Sequence, residues 1–393
     1  MRNKVIKRIL LGIWCVLGII ILGLCGTALI QIDFSNDENL NTFIEKKMGK
    51  SGIQGISAVI IKKGKIDWSG NYGYADLANS RKITDDTIFQ IASVSKTITG
   101  TAIMQLYERG LVDLDVSINT YLPFSIINPY FAGDDITLRM LLQHKSSLID
   151  NDFVINSLYT ISSGLGDPDV TLDEFVRAYY LINGKWYNSK KNFLKRRPGT
   201  EYCYSNAAFA LLGYILEQVT GKAFNEYCNE NIFTPLNMTS TGWFTTEINP
   251  KNMTVHYYKG EPLKPYSFAT YPDGALKTTT KDYAKFLIAI MNGGIYNGRR
   301  ILNVSTVNEM FPEKYTDNLV WDHNPLSTFL IKTGNQSLQG HSGGDPGIFT
   351  IVYFNPRKAT GVVFFMNSTT SIDFRIFNVI SILKRLNSVA RIY

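Results

Sequence analysis

The sequence contains little cysteine and little histidine, with four residues of each among 393. No CxxC pair occurs, and the histidines are scattered without the spacing that zinc sites use. We therefore expect no metal site. Two cysteines, Cys203 and Cys228, lie far from the N-terminus, and a disulfide between them remains an open alternative.

The sequence also lacks a strong surplus of one charge outside its N-terminus. The net charge is +7, but four of the 40 basic residues fall within the first eight positions. The rest of the chain has 36 basic and 33 acidic residues, so we expect no nucleic-acid partner. The composition is 45% hydrophobic and 19% charged, which is typical of a globular protein with a substantial core.

One long uncharged run, residues 9–30, follows those four basic residues. As a helix its 22 residues would extend about 33 Å, which is enough to span a bilayer. A cleaved signal peptide is the alternative, but its apolar region is usually shorter. We predict that residues 1–32 form a cytoplasmic flank and a single-pass anchor in the cell membrane. The positive-inside bias then places residues 33–393 outside the cell.

Strand patterns lie near both ends of the chain, and helical patterns lie between them. IQGISAVIIKKGKIDWSGNYGYAD predicts two strands that turn at Lys63-Gly64, and GIFTIVYFN and GVVFFMN predict two more. We expect an α+β fold with an antiparallel sheet built from both ends and flanked by helices. The α/β lobe covers about 40–110 and 255–393, and an inserted, mainly helical lobe covers about 111–254.

A serine and a lysine stand one turn apart at the start of a predicted helix, in Ser93-Val94-Ser95-Lys96. A desolvated lysine that is held neutral can take the proton of such a serine. The simpler alternative is that Ser93 caps the helix and Lys96 is exposed. The same motif recurs as Ser381-Ile382-Leu383-Lys384, but within an amphipathic C-terminal helix that is a poor place to present a nucleophile. We therefore prefer Ser93.

The pattern Tyr-x-Asn occurs three times, at Tyr204, Tyr227 and Tyr353. Tyr227 is predicted to be helical and Tyr353 to lie in a strand, where packing explains both. Tyr204 follows a Pro-Gly turn and precedes a helix, so it lies on a loop. It is the candidate that can direct a phenol at Ser93.

In their order along the chain, these motifs resemble those of the serine β-lactamase and penicillin-binding-protein superfamily. The resemblance is to the class C β-lactamase-like branch, which includes D,D-carboxypeptidases, D-aminopeptidases and esterases. It covers about residues 40–370 and implies a β-lactamase/transpeptidase-like fold. The matching stretches are YGYADLANSRKITDDTIFQIASVSKT, ITLRMLLQHKSSL, RPGTEYCYSNAAFALLGYILEQVTG, IFTPLNM, DGALKTTTKDYAKF and GHSGGDPGIFTIVYFNP.

The resemblance implies a role for each matching residue. Ser93 would be the acylated nucleophile, Lys96 its proton partner, and Tyr204 a base that also protonates the leaving group. Asn206 would bind the substrate amide, and the backbone N–H groups of Ser93 and Gly344 would form the oxyanion hole. The mechanism requires no metal or cofactor.

The third motif of this family has two candidates. Lys332-Thr333-Gly334 matches it by letter, but a polar stretch follows it. His341-Ser342-Gly343 leads through Gly344 directly into the predicted strand hairpin, as the family pattern requires. We therefore expect the substrate to meet His341 and Ser342 rather than Lys332, which belongs to a turn or to the end of the preceding strand. Histidine, with a reference pKa near 6.5, predicts a weaker and pH-sensitive hold on a substrate carboxylate.

One position departs from the family pattern. In LLQHKSSL, Ser147 stands where the family usually has glycine, so a positive φ there would strain the loop. His144 in the same stretch is expected to be a structural, hydrogen-bonded core residue.

The expected activity is that of a cell-wall D,D-carboxypeptidase or esterase. Its substrates would be peptidoglycan stems, D-alanyl esters of teichoic acid or small molecules of that type. A β-lactamase is one alternative. The other is a penicillin-binding or sensor protein that is acylated slowly and does not turn over.

Overall fold

The computed structural model describes residues 39–161, 168–311, 321–322, 326–333, 336–369 and 376–390. The segment predicted to anchor the chain in the membrane lies outside these ranges. Within them, no helix has both the length and the apolar character needed to cross a bilayer.

The α-helices are spread along the chain, and short 3₁₀ turns, including Ala92–Ser95, lie between them. In chain order they are α1 (Leu40–Ser51), α2 (Lys96–Glu108), α3 (Leu138–Leu142), α4 (Asp152–Ser157), α5 (Leu172–Tyr180), α6 (Ser189–Asn192), α7 (Asn206–Thr220), α8 (Phe224–Cys228), α9 (Thr280–Met291), α10 (Val304–Met310) and α11 (Ile376–Ala390).

The strands are concentrated toward the two ends of the described chain. They are β1 (Gly55–Lys62), β2 (Lys65–Asp76), β3 (Arg81–Lys82), β4 (Phe89–Gln90), β5 (Tyr159–Ile161), β6 (Tyr257–Tyr258), β7 (Glu261–Pro262), β8 (Tyr266–Phe268), β9 (Lys277–Thr278), β10 (Ile295–Tyr296), β11 (Arg299–Arg300), β12 (Trp321–Asp322), β13 (Phe329–Thr333), β14 (Gln336–Asp345), β15 (Ile348–Asn355), β16 (Thr360–Met366) and β17 (Ser368–Thr369).

The main sheet joins both ends of the chain. Its order is β12-β13-β14-β15-β16-β1-β2-β3, and its neighbouring strands are antiparallel. The N-terminal β1 pairs with the C-terminal β16, for example at Ala58 and Phe364. The first hairpin turns at Lys63 and Gly64, whose φ angles of 51° and 67° suit a tight hairpin turn. The predicted α+β fold class is confirmed.

Each face of this sheet is covered by helices. Alternate residues of β1 point to opposite faces, so Ile56, Ala58 and Ile60 pack with residues of α1 and α11. Val59 and Ile61 belong to the larger core on the other face, with residues of α2, α7 and α9. The Ser93 segment, with Ala92 and Val94 on either side, belongs to this larger core. The exact lobe and domain boundaries remain a prediction.

Candidate active site

Ser93 and Lys96 meet at the start of α2. Ser93 lies in the 3₁₀ turn Ala92–Ser95, and Lys96 is the first residue of α2. The Lys96 Nζ donates a hydrogen bond to the Ser93 Oγ over 3.2 Å. Ser95, not Ser93, precedes α2, and Lys96 is fully buried. The alternative of a capping serine with an exposed lysine therefore does not hold.

The backbone before Ser93 is strained. Ala92 has a φ of 47°, in the left-handed region that non-glycine residues seldom occupy. Such strain persists where the surrounding structure fixes it and is frequent at active sites. The neighbouring Thr350 Oγ1 donates to the Ile91 carbonyl over 2.7 Å, which helps to hold this turn against β15.

Polar groups surround the buried ammonium group of Lys96. Its Nζ donates to the Asn206 Oδ1 over 2.8 Å and to the Asp273 carbonyl over 2.7 Å, and the Asp273 Oδ1 lies 3.8 Å away. Burial lowers the pKa of Lys96 to about 8, while nearby carboxylates, first Asp273, oppose the decrease. Burial in turn raises the pKa of Asp273, and Lys96 opposes that increase. A lysine in this environment can be neutral at mildly basic pH.

A carboxylate that the motifs did not reveal fixes the start of α7. The Asp150 Oδ1 accepts from the Ser205 Oγ at 2.9 Å and the Ala207 N–H at 3.0 Å. Its Oδ2 accepts from the backbone N–H of Asn206 at 3.0 Å and from its Nδ2 at 2.9 Å. Because Asp150 is more than 50 residues away in sequence, no local pattern indicates this contact. It orients the Asn206 amide so that its oxygen faces Lys96.

Tyr204 lies on the loop before α7, as predicted, and its ring faces both Lys96 and His144. The Lys96 Nζ is 4.9 Å from the centre of the Tyr204 ring, and the His144 ring centre is 4.3 Å away. Burial raises the pKa of Tyr204 well above its usual value, and a hydrogen bond with Ser93 opposes this shift. The phenol is therefore protonated at neutral pH.

His144 supports this loop, as expected for a structural histidine. It is buried, and its Nδ1 accepts a hydrogen bond from the Ser205 N–H at 3.1 Å. Ser147 has a φ of 62°, which is the strained conformation expected where the family has glycine. Its hydroxyl accepts a hydrogen bond from the Asn128 Nδ2 at 2.8 Å.

The motif His341-Ser342-Gly343 lies in β14, next to Ser93. A Cβ atom on Gly343 would lie 2.4 Å from the Ile91 carbonyl oxygen and 3.1 Å from the Ser93 nitrogen. Only glycine allows the two backbones to come this close. Lys332 lies in the preceding strand, β13, opposite Ser337, and the third residue of its motif, Gly334, falls outside the described residues.

The third motif differs from expectation in how it meets the cavity. Gly344 lines the cavity with Ser93, whereas His341 and Ser342 are buried and do not line it. Burial lowers the pKa of His341 to about 3, and the charge of Lys96 contributes. His341 therefore changes its charge at a pH well below 6.5, the value that its reference pKa indicated.

A cavity of about 420 Å³ opens over Ser93. Its polar lining includes Tyr204 and Asn206, and its apolar lining includes Ile149, Ile155 and Phe268. Two further residues that sequence analysis missed, Tyr159 and Asp345, also line it, and the Tyr159 hydroxyl donates to the Asp345 Oδ1 over 2.8 Å.

The rejected motif copies lie elsewhere. Ser381 is in α11, on the opposite face of the sheet from Ser93, and its hydroxyl donates to the Phe377 carbonyl. Tyr227 lies in α8 and Tyr353 in β15, as predicted. Cys203 and Cys228 are both free thiols, so the disulfide that the sequence left open is not formed.

The site combines a serine that is hydrogen-bonded to a buried lysine with a loop tyrosine, and it packs against an antiparallel sheet. This arrangement is typical of lysine-assisted serine hydrolases. Residues 40–386 match the family described as Beta-lactamase. The chain belongs to this family and has the β-lactamase fold.

Two curated proteins are similar to this chain in sequence. The chain is 25% identical to Protein flp of Staphylococcus aureus (strain COL), over 84% of this chain and 63% of that protein. It is 28% identical to the putative penicillin-binding protein PbpX of Bacillus subtilis (strain 168), over 64% of this chain and 58% of PbpX. The chain thus matches less than two thirds of the length of either relative.

Among solved structures, D-amino acid amidase from Ochrobactrum anthropi SV3, complexed with L-phenylalanine, superposes with a TM-score of 0.70 at 25% identity. The match covers 90% of this chain and 99% of the amidase.

Proposed function

We propose that the protein forms an acyl-enzyme on Ser93 and acts as a D,D-carboxypeptidase or esterase on cell-wall D-alanyl substrates. The observation that carries this proposal is the fully buried Lys96 ammonium group, 3.2 Å from the Ser93 hydroxyl. Burial disfavours the charged form of Lys96 and lowers its pKa to about 8, so that its neutral amine can act as a base for Ser93.

The reaction proceeds in two steps. In acylation, the Ser93 Oγ bonds to the substrate carbonyl carbon, its proton passes to neutral Lys96, and the bond to the leaving group breaks. Tyr204, being a neutral phenol, donates a proton to the leaving group and recovers one from Lys96. In deacylation, a water oxygen bonds to the acyl carbonyl carbon and the bond from that carbon to the Ser93 Oγ breaks. One water proton returns to the Ser93 Oγ, and the carboxylic acid product leaves.

The backbone N–H groups of Ser93 and Gly344 are proposed as the oxyanion hole. The close approach of β14 to the Ser93 segment at Gly343 supports this assignment. Donors that are already oriented stabilise the developing charge without reorganisation, and each contributes about 3 kcal/mol in comparable sites.

The proposed location is the outer surface of the cell membrane. The uncharged run at residues 9–30 and the basic residues before it support an N-terminal anchor with the catalytic part outside. A cell-wall substrate would be accessible to an enzyme placed there.

The test is acylation of the purified protein by an activated D-alanyl ester, followed by intact-mass measurement. We expect one added acyl group, which disappears in Ser93→Ala. The matched control is Ser381→Ala, which removes the serine of the second SxxK motif and should leave labelling intact. Labelling that persists in Ser93→Ala would refute the proposal.

Turnover separates an enzyme from a slow acceptor. We expect continuous product release from D-alanyl esters or D-alanyl-D-alanine peptides, well beyond a single equivalent of product. One burst without further product would favour a penicillin-binding or sensor protein instead.

A further inference from the structure

The active-site cavity is lined by acidic side chains. Four aspartates, Asp150, Asp152, Asp273 and Asp345, line it, and among the described lining residues none is lysine or arginine. The nearby Lys96 already donates to Asn206 and to the Asp273 carbonyl. A substrate carboxylate would therefore find no basic side chain among these lining residues, whereas a cationic substrate group can favour the ionised form of a carboxyl group and pair with it.

Two of the four aspartates serve the catalytic residues themselves. Both oxygens of Asp150 accept two hydrogen bonds each at the start of α7. Asp273 lies beside the Lys96 ammonium group, with 3.8 Å between its Oδ1 and the lysine Nζ. These contacts leave Asp152, which is exposed, and Asp345, which is buried.

Asp345 is the last residue of β14, directly after Gly344. It shares a strand face with Gly343, whose position is in contact with the Ser93 backbone. Residues two apart on a strand are separated by about 7 Å, so Asp345 lies one strand repeat from Gly343, and both Asp345 and Ser93 line the cavity. A substrate whose carbonyl carbon reacts with Ser93 therefore lies in the same cavity as the Asp345 carboxyl group.

The carboxyl group of Asp345 is held in place by tyrosines. The Tyr159 hydroxyl donates to its Oδ1 over 2.8 Å. Tyr266 packs on the Tyr159 ring at 5.5 Å and donates to the adjacent Pro346 carbonyl over 2.9 Å. A carboxylate can accept about four hydrogen bonds, so Asp345 retains capacity for a ligand. Nowhere in the described ranges are three His, Cys, Asp or Glu residues grouped closely enough to hold a metal ion.

We infer that Asp345, oriented by Tyr159, binds the free α-ammonium group of the acyl donor, so that the preferred substrates are aminoacyl esters such as D-alanyl esters. An N-acylated peptide that ends in a carboxylate lacks this group and brings the wrong charge. The inference rests on the proposed function, because Ser93 must be the acylated residue.

The electrostatics of the cavity agree with this assignment. Burial raises the pKa of Asp345 to about 8, the hydrogen bonds from Tyr159 and Tyr266 and the charge of Lys96 lower it, and Asp273 raises it. A bound ammonium group supplies the positive neighbour that the buried carboxyl needs in order to ionise. The pair would thus stabilise each other.

The experiment compares three activated esters with the same leaving group: D-alanyl, N-acetyl-D-alanyl and propionyl. Acylation rates at Ser93 are measured by intact mass at pH 7. In the wild type we expect the D-alanyl ester to react about tenfold faster than either ester without an ammonium group, as for a charge-assisted hydrogen bond worth about 1.4 kcal/mol. In Asp345→Asn the ratio should fall to about one, and in Tyr159→Phe it should fall part of the way.

The outcomes separate the two proposals. If all three esters label Ser93 at similar rates in the wild type, the ammonium site is refuted and the serine hydrolase proposal stands. If no ester labels Ser93, the proposed function fails. If the preference survives in Asp345→Asn but is lost in Asp152→Asn, the ammonium group binds at the mouth of the cavity and the assignment to Asp345 is overturned.

Discussion

Lys96 is a charged residue type in an environment that disfavours its charge. Its side chain is fully buried between the Tyr204 and Phe209 rings, which lie 4.9 and 5.5 Å from its Nζ. The Asn206 oxygen and the Asp273 carboxylate offset part of the desolvation cost. The balance places the pKa of Lys96 at about 8, below that of an exposed lysine.

This balance predicts the pH dependence of acylation. Below pH 8 Lys96 is mostly protonated and cannot accept the Ser93 proton, and above pH 8 it is mostly neutral. The acylation rate with a propionyl ester, which does not titrate, should therefore rise through about pH 8 and then level off. Rates measured by intact mass from mildly acidic to mildly basic pH test this, and a rate that falls over that range contradicts it.

Lys96→Arg gives a second test at the same position. Arginine stays protonated in proteins, so the acylation rate should fall by about 10² to 10⁴ at every pH measured. The matched control is Lys384→Arg, in the second SxxK motif, where the rate should not change. Equal effects of the two substitutions would exclude Lys96 as the base.

At the level of residues, the motifs predicted the groups that approach Ser93 but not the groups that hold them. Ser93, Lys96, Tyr204 and Asn206 carry recognisable local patterns, and the structure brings them together. Asp150 contacts α7 across more than 50 residues, and the Tyr159–Asp345 pair spans 186. No spacing rule reports a contact of that separation, because it depends on the assembled sheet.

Among the structural elements, β14 determines how close the sheet comes to Ser93. It pairs with β15 along its C-terminal half, so Gly343 faces Thr350, which in turn bonds to Ile91. The strand hairpin was predictable from GIFTIVYFN and the motif before it. The short pairing of β4 with β9, which supports the turn before Ser93, was not, because two-residue strands leave no periodic pattern.

Gly343→Ala should separate β14 from the Ser93 turn. The new Cβ would lie 2.4 Å from the Ile91 carbonyl oxygen, so one of the two backbones must move. We expect a loss of about 1–3 kcal/mol in the free energy of unfolding, measured by urea denaturation. Because small displacements at a reacting centre are costly, the acylation rate should also fall about 100-fold.

Gly49→Ala is the control for this substitution. Gly49 lies in α1, and a Cβ there meets no atom within 4 Å. Alanine favours a helix over glycine by about 0.5–1 kcal/mol, so the variant should be slightly more stable. If Gly343→Ala is as well tolerated as Gly49→Ala, the close approach of β14 is not a requirement.

For the whole molecule, the antiparallel sheet with helices on each face was predictable because both ends of the chain carry strong strand patterns. What the patterns could not reveal is the concentration of buried charge on one side of that sheet. Lys96, Asp150, Asp273 and Asp345 converge there from separate segments. Buried charges of this kind reduce stability, and they are typical of sites that trade stability for function.

The raised pKa of Asp345 predicts how the stability of the whole protein depends on pH. Its pKa is raised from 3.8 to about 8 in the folded state, so between these values the folded state binds more protons than the unfolded state. Its contribution to the free energy of unfolding is complete below about pH 4 and is lost as the pH rises through about 8. Asp345→Asn removes this loss, because the amide does not ionise. The variant should thus gain stability relative to the wild type as the pH rises across this interval, with a slope of at most about 1.4 kcal/mol per pH unit.

The gain in the free energy of unfolding is measured by urea denaturation of the wild type, Asp345→Asn and Asp152→Asn. The measurements are made at about pH 5 and about pH 8.5, near the two ends of this interval. Asp152 lines the same cavity but is exposed, so replacing it removes no buried charge and should give the same small change at both pH values. If the free energies of unfolding of the wild type and Asp345→Asn differ by the same amount at the two pH values, Asp345 is not a buried carboxyl group that ionises. If instead the stability advantage of Asp345→Asn grows with pH, and the variant also loses the preference for esters with an ammonium group, then Asp345 both lowers the stability of the protein and binds substrate.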